Sequence, residues 1–510
     1  MSQVPVTSAG EVERKFEAAG AETLGADDVR AVLDRPVPDE PTERLQEAEY
    51  WDTADLALHH DRVTLRRRTG GRDDGWHVKL PGSGDRREEL HAPLTPAGSG
   101  PPEGVVALLR SSSRGRPVVP VAELLTRRRE WRAEDADGRT VAELVVDQVT
   151  ARTVHADGRE DLQAWQEIEV ELGPGAPDGF LDEVEERLAE RGIRRSASAS
   201  KVGRVLAGRA ATVARAEPDE HTAAGVVLRY LAEQARALRH QDPLVRLDRE
   251  DAVHQMRVAA RRLRSALQGF GRVLARERTR GLTEELRWFA GELAPARDTE
   301  VMLARLQELL AETPPALVVG PVAAEVDRAF TRRGAAARER ATTALDSVRY
   351  LALLEALDAL QADPPTTGRA SRAARRVLPG EVDRAHRRVV AAMDAADATP
   401  EGPERDVALH EARKKAKRLR YANEVAQPVL GKPARRLRKR MKAVQELLGV
   451  HQDTAVTRAT LLELAGHGQG PGEVTHPFTL GLLYGAEQRR ARDAEDRLPA
   501  LWARVPRPGS

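Results

Sequence analysis

A chain of 510 residues is longer than one hydrophobic core serves, so two domains of roughly 200 and 290 residues are expected on size alone. Its zero cysteines exclude disulfide staples and thiol chemistry. With no basic apolar leader over 1–10 and no uninterrupted apolar run near the ~20 residues of a membrane span, a cytoplasmic protein without a membrane partner is expected. Lysine and arginine total 81 against 80 acidic residues, a net charge of +1 that argues against a polyanion partner only if charge is evenly spread. It is segregated instead: arginine-rich stripes alternate with acidic stretches such as Asp73-Asp74 and Asp178 to Glu190.

The first predicted strand carries Gly10-Glu11-Val12-Glu13-Arg14-Lys15-Phe16. Strand side chains alternate faces, so Glu11, Glu13 and Lys15 share one face. In a chain that is 32% charged, a solvated strand accounts for this spacing when it stands alone. The segments that follow repeat it. Tyr50-Trp51-Asp52-Thr53 precedes Leu65-Arg66-Arg67-Arg68, which puts Arg66 and Arg68 on one face. Lys79 lies in His-Val-Lys-Leu, Arg87 and Glu89 stand two apart, and Arg128 precedes Trp131. Glu143 and Asp147 flank a Leu-Val-Val core, and Glu167, Glu169 and Glu171 alternate with apolar residues. Lys201 closes the series. Closed into a barrel, such strands line a lumen with cationic grips for a polyanion and carboxylates for its metal.

This set, from Glu11 to Lys15, Tyr50 to Thr53, Leu65 to Arg68, Lys79, Arg87 with Glu89, and Glu169 to Leu172, resembles the CYTH family of triphosphate tunnel enzymes over roughly residues 8 to 208. The resemblance implies an eight-stranded antiparallel β tunnel barrel with helices that binds a linear triphosphate and hydrolyses it with Mg2+ or Mn2+. It implies phosphate grips at Lys15, Arg66, Arg68, Lys79, Arg87, Arg128 and Lys201. Metal ligands are implied at Glu11, Glu13, Asp147, Glu169 and Glu171, and a catalytic set of Glu11, Glu13, Lys15, Arg66 and Arg68. His77 stands where the family often has a small hydroxyl residue. Which of Arg127 to Arg129 points inward is open, and Glu167 can equally replace Glu171.

The chemistry has its own logic. Attack by water on a triphosphate needs the phosphate charge neutralised and the nucleophile held in line. Arginine suits the clamp because its planar fork meets two oxygens at once. Mg2+ takes about six oxygen ligands and keeps some waters, so a few carboxylates suffice. No cysteine or histidine cluster in the sequence competes for zinc.

Beyond residue 208 the texture becomes long runs of alanine, leucine, arginine and glutamate, the composition of helices. The expected domains are 1–208 and 222–505, joined by a linker over 209–221 where Glu217-Pro218-Asp219 interrupts the pattern. Thr95 to Gly104 and Gly468 to Gly472 read as connectors. An internal repeat follows: His254-x-x-Arg257-x-x-x-Arg261-Arg262-Leu263-Arg264 returns as His410-x-x-Arg413-x-x-x-Lys417-Arg418-Leu419-Arg420, 410 minus 254 or 156 residues later. An aspartate follows each copy, Asp298 and Asp453. On a helix, positions 254, 257, 261 and 264 form one stripe, as do 410, 413, 417 and 420. Like charges at such spacing cost roughly 0.2–0.5 kcal/mol per pair, so an anion that offsets them is expected. With only 3% aromatic residues for base stacking, no nucleic-acid partner is expected.

These repeats, with Arg297-Asp298, Val348-Arg349-Tyr350 and the basic run from Arg435 to Lys442 that includes Arg438, resemble the CHAD family over roughly residues 222 to 505. The resemblance implies an all-α domain of two pseudo-twofold related four-helix bundles, whose stripes His254, Arg257, Arg261, Arg264 and His410, Arg413, Lys417, Arg420, with Arg438 and Lys442, bind inorganic polyphosphate at a central groove. His254 and His410 fit either role, phosphate ligand when protonated or packing donor when neutral. The combined expectation is an α+β multidomain inorganic triphosphatase with a polyphosphate-binding helical domain. Two rivals are a non-catalytic binding or localisation protein that holds polyphosphate in both domains, and a nucleotide cyclase.

Overall fold

The computed structural model describes residues 7–17, 24–82, 85–96, 98–154, 159–198, 200–211, 219–466 and 476–506. The linker residues 212–218 and the connector 468–472 lie outside the described residues. The chain divides into two compact units, 1–215 and 216–510.

In the first unit the strands are β1 (Thr7–Glu17), β2 (Thr42–Asp52), β3 (Thr64–Thr69), β4 (Gly75–Pro81), β5 (Arg86–Ala92), β6 (Val119–Glu134), β7 (Thr140–Val154), β8 (Glu160–Leu172) and the two-residue β9 (Arg194–Arg195). They pair antiparallel in the order β5-β4-β3-β2-β6-β7-β8-β1, and a β1–β5 pairing closes the ring, giving the expected eight-stranded barrel. Closure is staggered within β1: residues 7–12 pair with β5 and residues 13–17 with β8. β9 extends the end of β1, with Phe16 opposite Arg195.

The alternation read in the sequence is turned inside out relative to an ordinary small barrel. Between the inward carboxylates of β7 and β8, Leu144, Val146, Ile168 and Val170 point outward and are fully buried. Two helices, α1 (Ala26–Leu33) and α5 (Phe180–Glu190), cover them with Val29, Val32, Leu33, Phe180, Val184 and Leu188. One core of the first unit therefore lies outside the barrel wall, and the charged faces of these strands are left to the lumen. Short helices α2 (Ala57–His60), α3 (Glu103–Leu108) and α4 (Arg110–Ser113) occupy connections. Helix α6 (Lys201–Ala211) packs Val202, Val205 and Leu206 against Tyr50, Ala122, Leu124, Val149 and Ala151. That apolar contact seats α6 with Lys201 as its first residue.

The second unit is all helical: α7 (Ala223–Arg246), α8 (Ala252–Gly269), α9 (Arg276–Glu292), α10 (Ala294–Glu312), α11 (Val322–Asp346), α12 (Val348–Ala362), α13 (Ala374–Asp397), α14 (Pro403–Leu430), α15 (Lys432–Gly466) and α16 (Pro477–Trp502). The duplication is plain in the element order: α7, α8, the pair α9–α10, and α11 answer to α13, α14, α15 and α16. Where α15 runs unbroken for 35 residues, its counterpart is split at Leu293, because Pro295 in the first turn of α10 has no N–H to continue the ladder. The two repeats meet as a pseudo-twofold requires, through reciprocal bonds at equivalent helix entries. The Ala223 N–H donates to the Arg372 carbonyl at 2.9 Å and the Ala374 N–H to the His221 carbonyl at 2.8 Å. The main apolar cluster draws on both repeats, from Ala223 to Val505, and a smaller one joins Leu306, Phe330, Leu461 and Leu483. No helix among the described residues is long and apolar enough to cross a membrane.

Candidate functional site

The lumen of the barrel is a cavity of about 240 Å³ whose lining gathers residues scattered over nearly two hundred positions. Lys15 with Glu11 and Glu13 from β1, Arg66 and Arg68 from β3, Lys79 from β4, Arg87 and Glu89 from β5, Arg128 from β6, Glu169 and Glu171 from β8, and Lys201 from α6 all line it. Register explains the convergence: Glu11 lies opposite Arg87, Glu13 opposite Glu171, Lys15 opposite Glu169, and Arg128 opposite Asp147. Of the three consecutive arginines only Arg128 faces in; Arg129 lies over the Trp131 ring at 4.8 Å and Arg127 is exposed.

Charges in the lumen are tightly paired. Arg128 grips Asp147 with Nε at 2.9 Å and Nη2 at 2.7 Å, and its Nη2 also reaches Glu169 at 3.0 Å. Lys201 Nζ lies 2.9, 2.8 and 2.7 Å from Asp147, Glu167 and Glu169. Lys15 donates to Glu169 as well. Despite full burial, Lys201 and Arg128 hold the Asp147 carboxyl well below the usual range. Lys79 reaches Glu11 at 2.6 Å and Glu89 at 3.5 Å, and Arg66 reaches Glu89 at 3.1 Å. Burial, followed by the neighbouring Glu89, pushes Glu11 up to about 7 against the pull of Lys79. Burial also brings the Lys15 ammonium down to about 7, opposed by Glu13. His77 stays out of the lining. Its Nε2–H donates to the Asp73 carbonyl at 2.8 Å while Nδ1 sits 2.9 Å from Glu89, so it ties the β3–β4 turn to the wall.

The carboxylates suit a hard divalent cation. Glu13 Oε1 is buried with no hydrogen bond and lies 3.6 Å from Arg87, while Glu13 Oε2 lies 3.5 Å from Lys15. Facing it across β1 and β8, Glu171 has no ion-pair partner among the described residues, and burial, with Glu13, Glu143 and Glu89, raises its pKa above the ordinary value against the pull of Lys79. A carboxylate oxygen without a hydrogen bond opposite a carboxylate without an ion pair is an all-oxygen donor set of the kind a hard divalent cation takes. Asp147, Glu167 and Glu169 also converge within 4.8 Å, but Arg128 and Lys201 already engage that trio.

In the second unit the two stripes divide. Arg261, Arg264 and Lys417 line a cavity of about 800 Å³ between α8, α9 and α14, together with Arg276, Arg280, Arg287, Lys414 and Arg418. A second cavity of about 320 Å³, which shares Gln268, Arg276 and Arg418 with the first, adds Arg272, Arg384, Arg388 and Lys415. Arg257, Arg413 and His410 are tied to neighbouring helices. Arg257 Nη1 donates to the Ala294 carbonyl at 3.1 Å and Asp298 at 2.9 Å, and Arg413 lies 3.8 Å from Asp453, the same contact in each repeat. His410 Nδ1 meets Gln452, and burial with Arg297 nearby lowers the pKa of His254. Tyr421 Oη accepts from Arg261 Nε at 2.9 Å and Arg420 Nη2 at 3.0 Å, joining the stripes. On α15, Arg438 is half-buried and Lys442 is exposed beside Glu446 at 3.4 Å.

Several lining residues were missed in the sequence reading. Arg44 and Gln46 continue the face of β2 that carries Tyr50 at even spacing, a signal that was present. Arg72 and Asp73 come from the β3–β4 turn and Glu130 from the Arg128 face. Arg276 and Arg287 of α9 carried no motif, because their role rests on how α9 packs beside α8.

Family models match twice, a CYTH domain over residues 9–206 and a CHAD domain over 229–462. Two curated relatives, both uncharacterized proteins of Mycobacterium tuberculosis, are 36% identical over 510 residues, covering 97% of this chain and 96% of each relative. Among solved structures, PptA from Streptomyces chartreusis is similar at 23% identity and TM-score 0.47, covering 56% of this chain and all of its own. The CHAD domain from the plant Ricinus communis is 26% identical, with TM-score 0.47, over 58% of this chain and 96% of that one.

Proposed function

Because the chain belongs to the two-domain proteins that carry a CYTH domain followed by a CHAD domain, we propose that its lumen hydrolyses a linear triphosphate with Mg2+ or Mn2+, inorganic triphosphate first, while the helical unit binds inorganic polyphosphate. One observation carries the reading: Lys15, Arg66, Arg68, Lys79, Arg87, Arg128 and Lys201 meet Glu11, Glu13, Glu169 and Glu171 around a single cavity. Arg66, Arg68 and Arg87 offer forks to phosphate oxygens, and the three lysines add point charge. Asp147 and Glu167 position Arg128 and Lys201 from below. Glu13 and Glu171, with Glu11 and Glu169, would hold the cation, which when bound supplies charge neutralisation and orientation of substrate oxygens. The lining side chains are largely buried, so their charges are screened less than they would be at the surface.

Phosphate release from triphosphate with Mg2+ or Mn2+ tests this for the parent and Glu11→Gln. A loss on the order of a hundredfold is expected, the scale of removing one preorganised charge contact; equal rates, or none in either, remove the catalytic claim. A binding-only protein is the second reading, favoured by the seat of Lys201 among three carboxylates where a cation would otherwise stand. In that case neutralising carboxylates leaves function intact and only the cations matter.

A further inference from the structure

Outside both sites, three side chains of the second unit converge: Asp406 from the first turn of α14, His451 from within α15 and Glu495 from α16. His451 is 4% exposed, with Nε2 lying 3.0 Å from Glu495 Oε1 and 3.2 Å from Asp406 Oδ1. A ring nitrogen carries at most one proton, and here that hydrogen bond is directed to Glu495. Asp406 Oδ1 therefore faces the same nitrogen without a proton between them. The far oxygens are backed by cations, Glu495 Oε2 by Arg405 Nε at 3.2 Å and Asp406 Oδ2 by Arg458 Nη2 at 3.6 Å. One near oxygen from each carboxylate and one imidazole nitrogen are thus turned toward a common centre, with outer partners of the kind that fix ligand carboxylates.

The spacing suits a metal. Ligands about 2.0–2.1 Å from a tetrahedral ion stand roughly 3.3 Å apart, close to the two distances observed. Asp406 and Glu495 are 35% and 22% exposed, which gives an ion an entry path and room for a water ligand. We infer that Asp406, His451 and Glu495 form a binding site for a first-row divalent cation of the Zn2+ class, separate from the tunnel's carboxylates. A mixed nitrogen and oxygen set favours such an ion over Mg2+ or Ca2+, which prefer oxygen alone. Occupied, it clamps the start of α14, one turn before His410, onto α15 and α16. The first repeat has no copy, since Ala296 stands two residues before Asp298 where His451 stands two before Asp453.

The test uses the full chain stripped with chelator, as parent, His451→Ala and Glu495→Gln, all with intact tunnel carboxylates. Metal content is counted after Zn2+ loading and desalting, and unfolding is followed calorimetrically. The parent is expected to keep about one Zn2+ more than either variant. Zn2+ should raise the parent's helical-unit transition by about 5 °C, with Mg2+ leaving it in place and the variants unmoved. Equal zinc content and equal shifts in all three overturn the assignment. Glu495→Gln preserves size and reports even if His451→Ala fails to fold. If both fail, Co2+ titration of the parent decides: strong visible bands of low-coordinate cobalt support the site, and weak octahedral bands alone overturn it.

Discussion

Burial, reinforced by Arg413 and Arg261, brings the Lys417 ammonium down to about 7. The unfolded chain keeps that proton until about pH 10.4, so between these values the unfolded state binds more protons and stability from this group rises with pH. The proposed polyphosphate binding should run the other way, because an anionic ligand favours the charged ammonium. Calorimetric titration with long polyphosphate should be tighter at pH 6 than at pH 8, and Lys417→Met should flatten the difference; a pH-independent affinity in the parent would place Lys417 off the contact surface. In the lumen, Asp147 is fully buried between Arg128 and Lys201. Arg128→Ala leaves a buried carboxylate short of its bidentate partner and should cost about 3–5 kcal/mol in urea unfolding of the first unit. Since the folded Asp147 pKa is depressed, its stabilisation is present above the ordinary carboxylate value and fades as pH falls below about 4.

At the level of elements, the period of two along each strand decides which charges share the lumen, and turn geometry decides where those strands stop. Gly70 opens the β3–β4 turn at φ +81°, and a Cβ there would lie 2.2 Å from the Leu45 carbonyl oxygen of β2. Gly70→Ala therefore carries both left-handed strain and a backbone clash, on the order of 1–3 kcal/mol or more. The same turn supplies Asp73, whose side chain meets Arg68 and whose carbonyl accepts the His77 Nε2–H hydrogen bond. Triphosphate affinity should fall along with the urea midpoint in this variant. An unchanged midpoint would mean the turn relaxes freely. In the second unit, α8 and α14 present the repeated stripes, but packing splits each one: Arg257 and Arg413 serve α10 and α15, while Arg261 and Lys417 remain at the groove.

For the whole molecule, catalysis and polyanion binding should separate by mutation. Glu11→Gln is expected to lower triphosphate turnover about a hundredfold and leave polyphosphate binding by the full chain intact; joint loss would mean one site serves both. Arg261→Ala with Arg264→Ala, both at the groove, should lower the slope of log affinity against log salt by about 1 to 2, the counterions of two phosphate contacts, and an unchanged slope removes those residues from the interface. Much of this organisation is legible without coordinates. Glu11, Glu13 and Lys15 at even spacing, and the return of the His254 stripe at His410, each follow from a backbone period acting on neighbours in sequence, so the inward strand faces and the duplicated helical unit are local properties. Partnerships are not local. Lys201 meets Asp147 across 54 positions, 201 minus 147, and His451 meets Asp406 and Glu495 only because three helices pack together. Ion pairing and desolvation depend on distance and burial in space, which strand register and helix packing set, so the sequence by itself determined the kinds of charge and the faces that carry them. Only the tertiary structure decided which cation answers which carboxylate, and which were left without an answer.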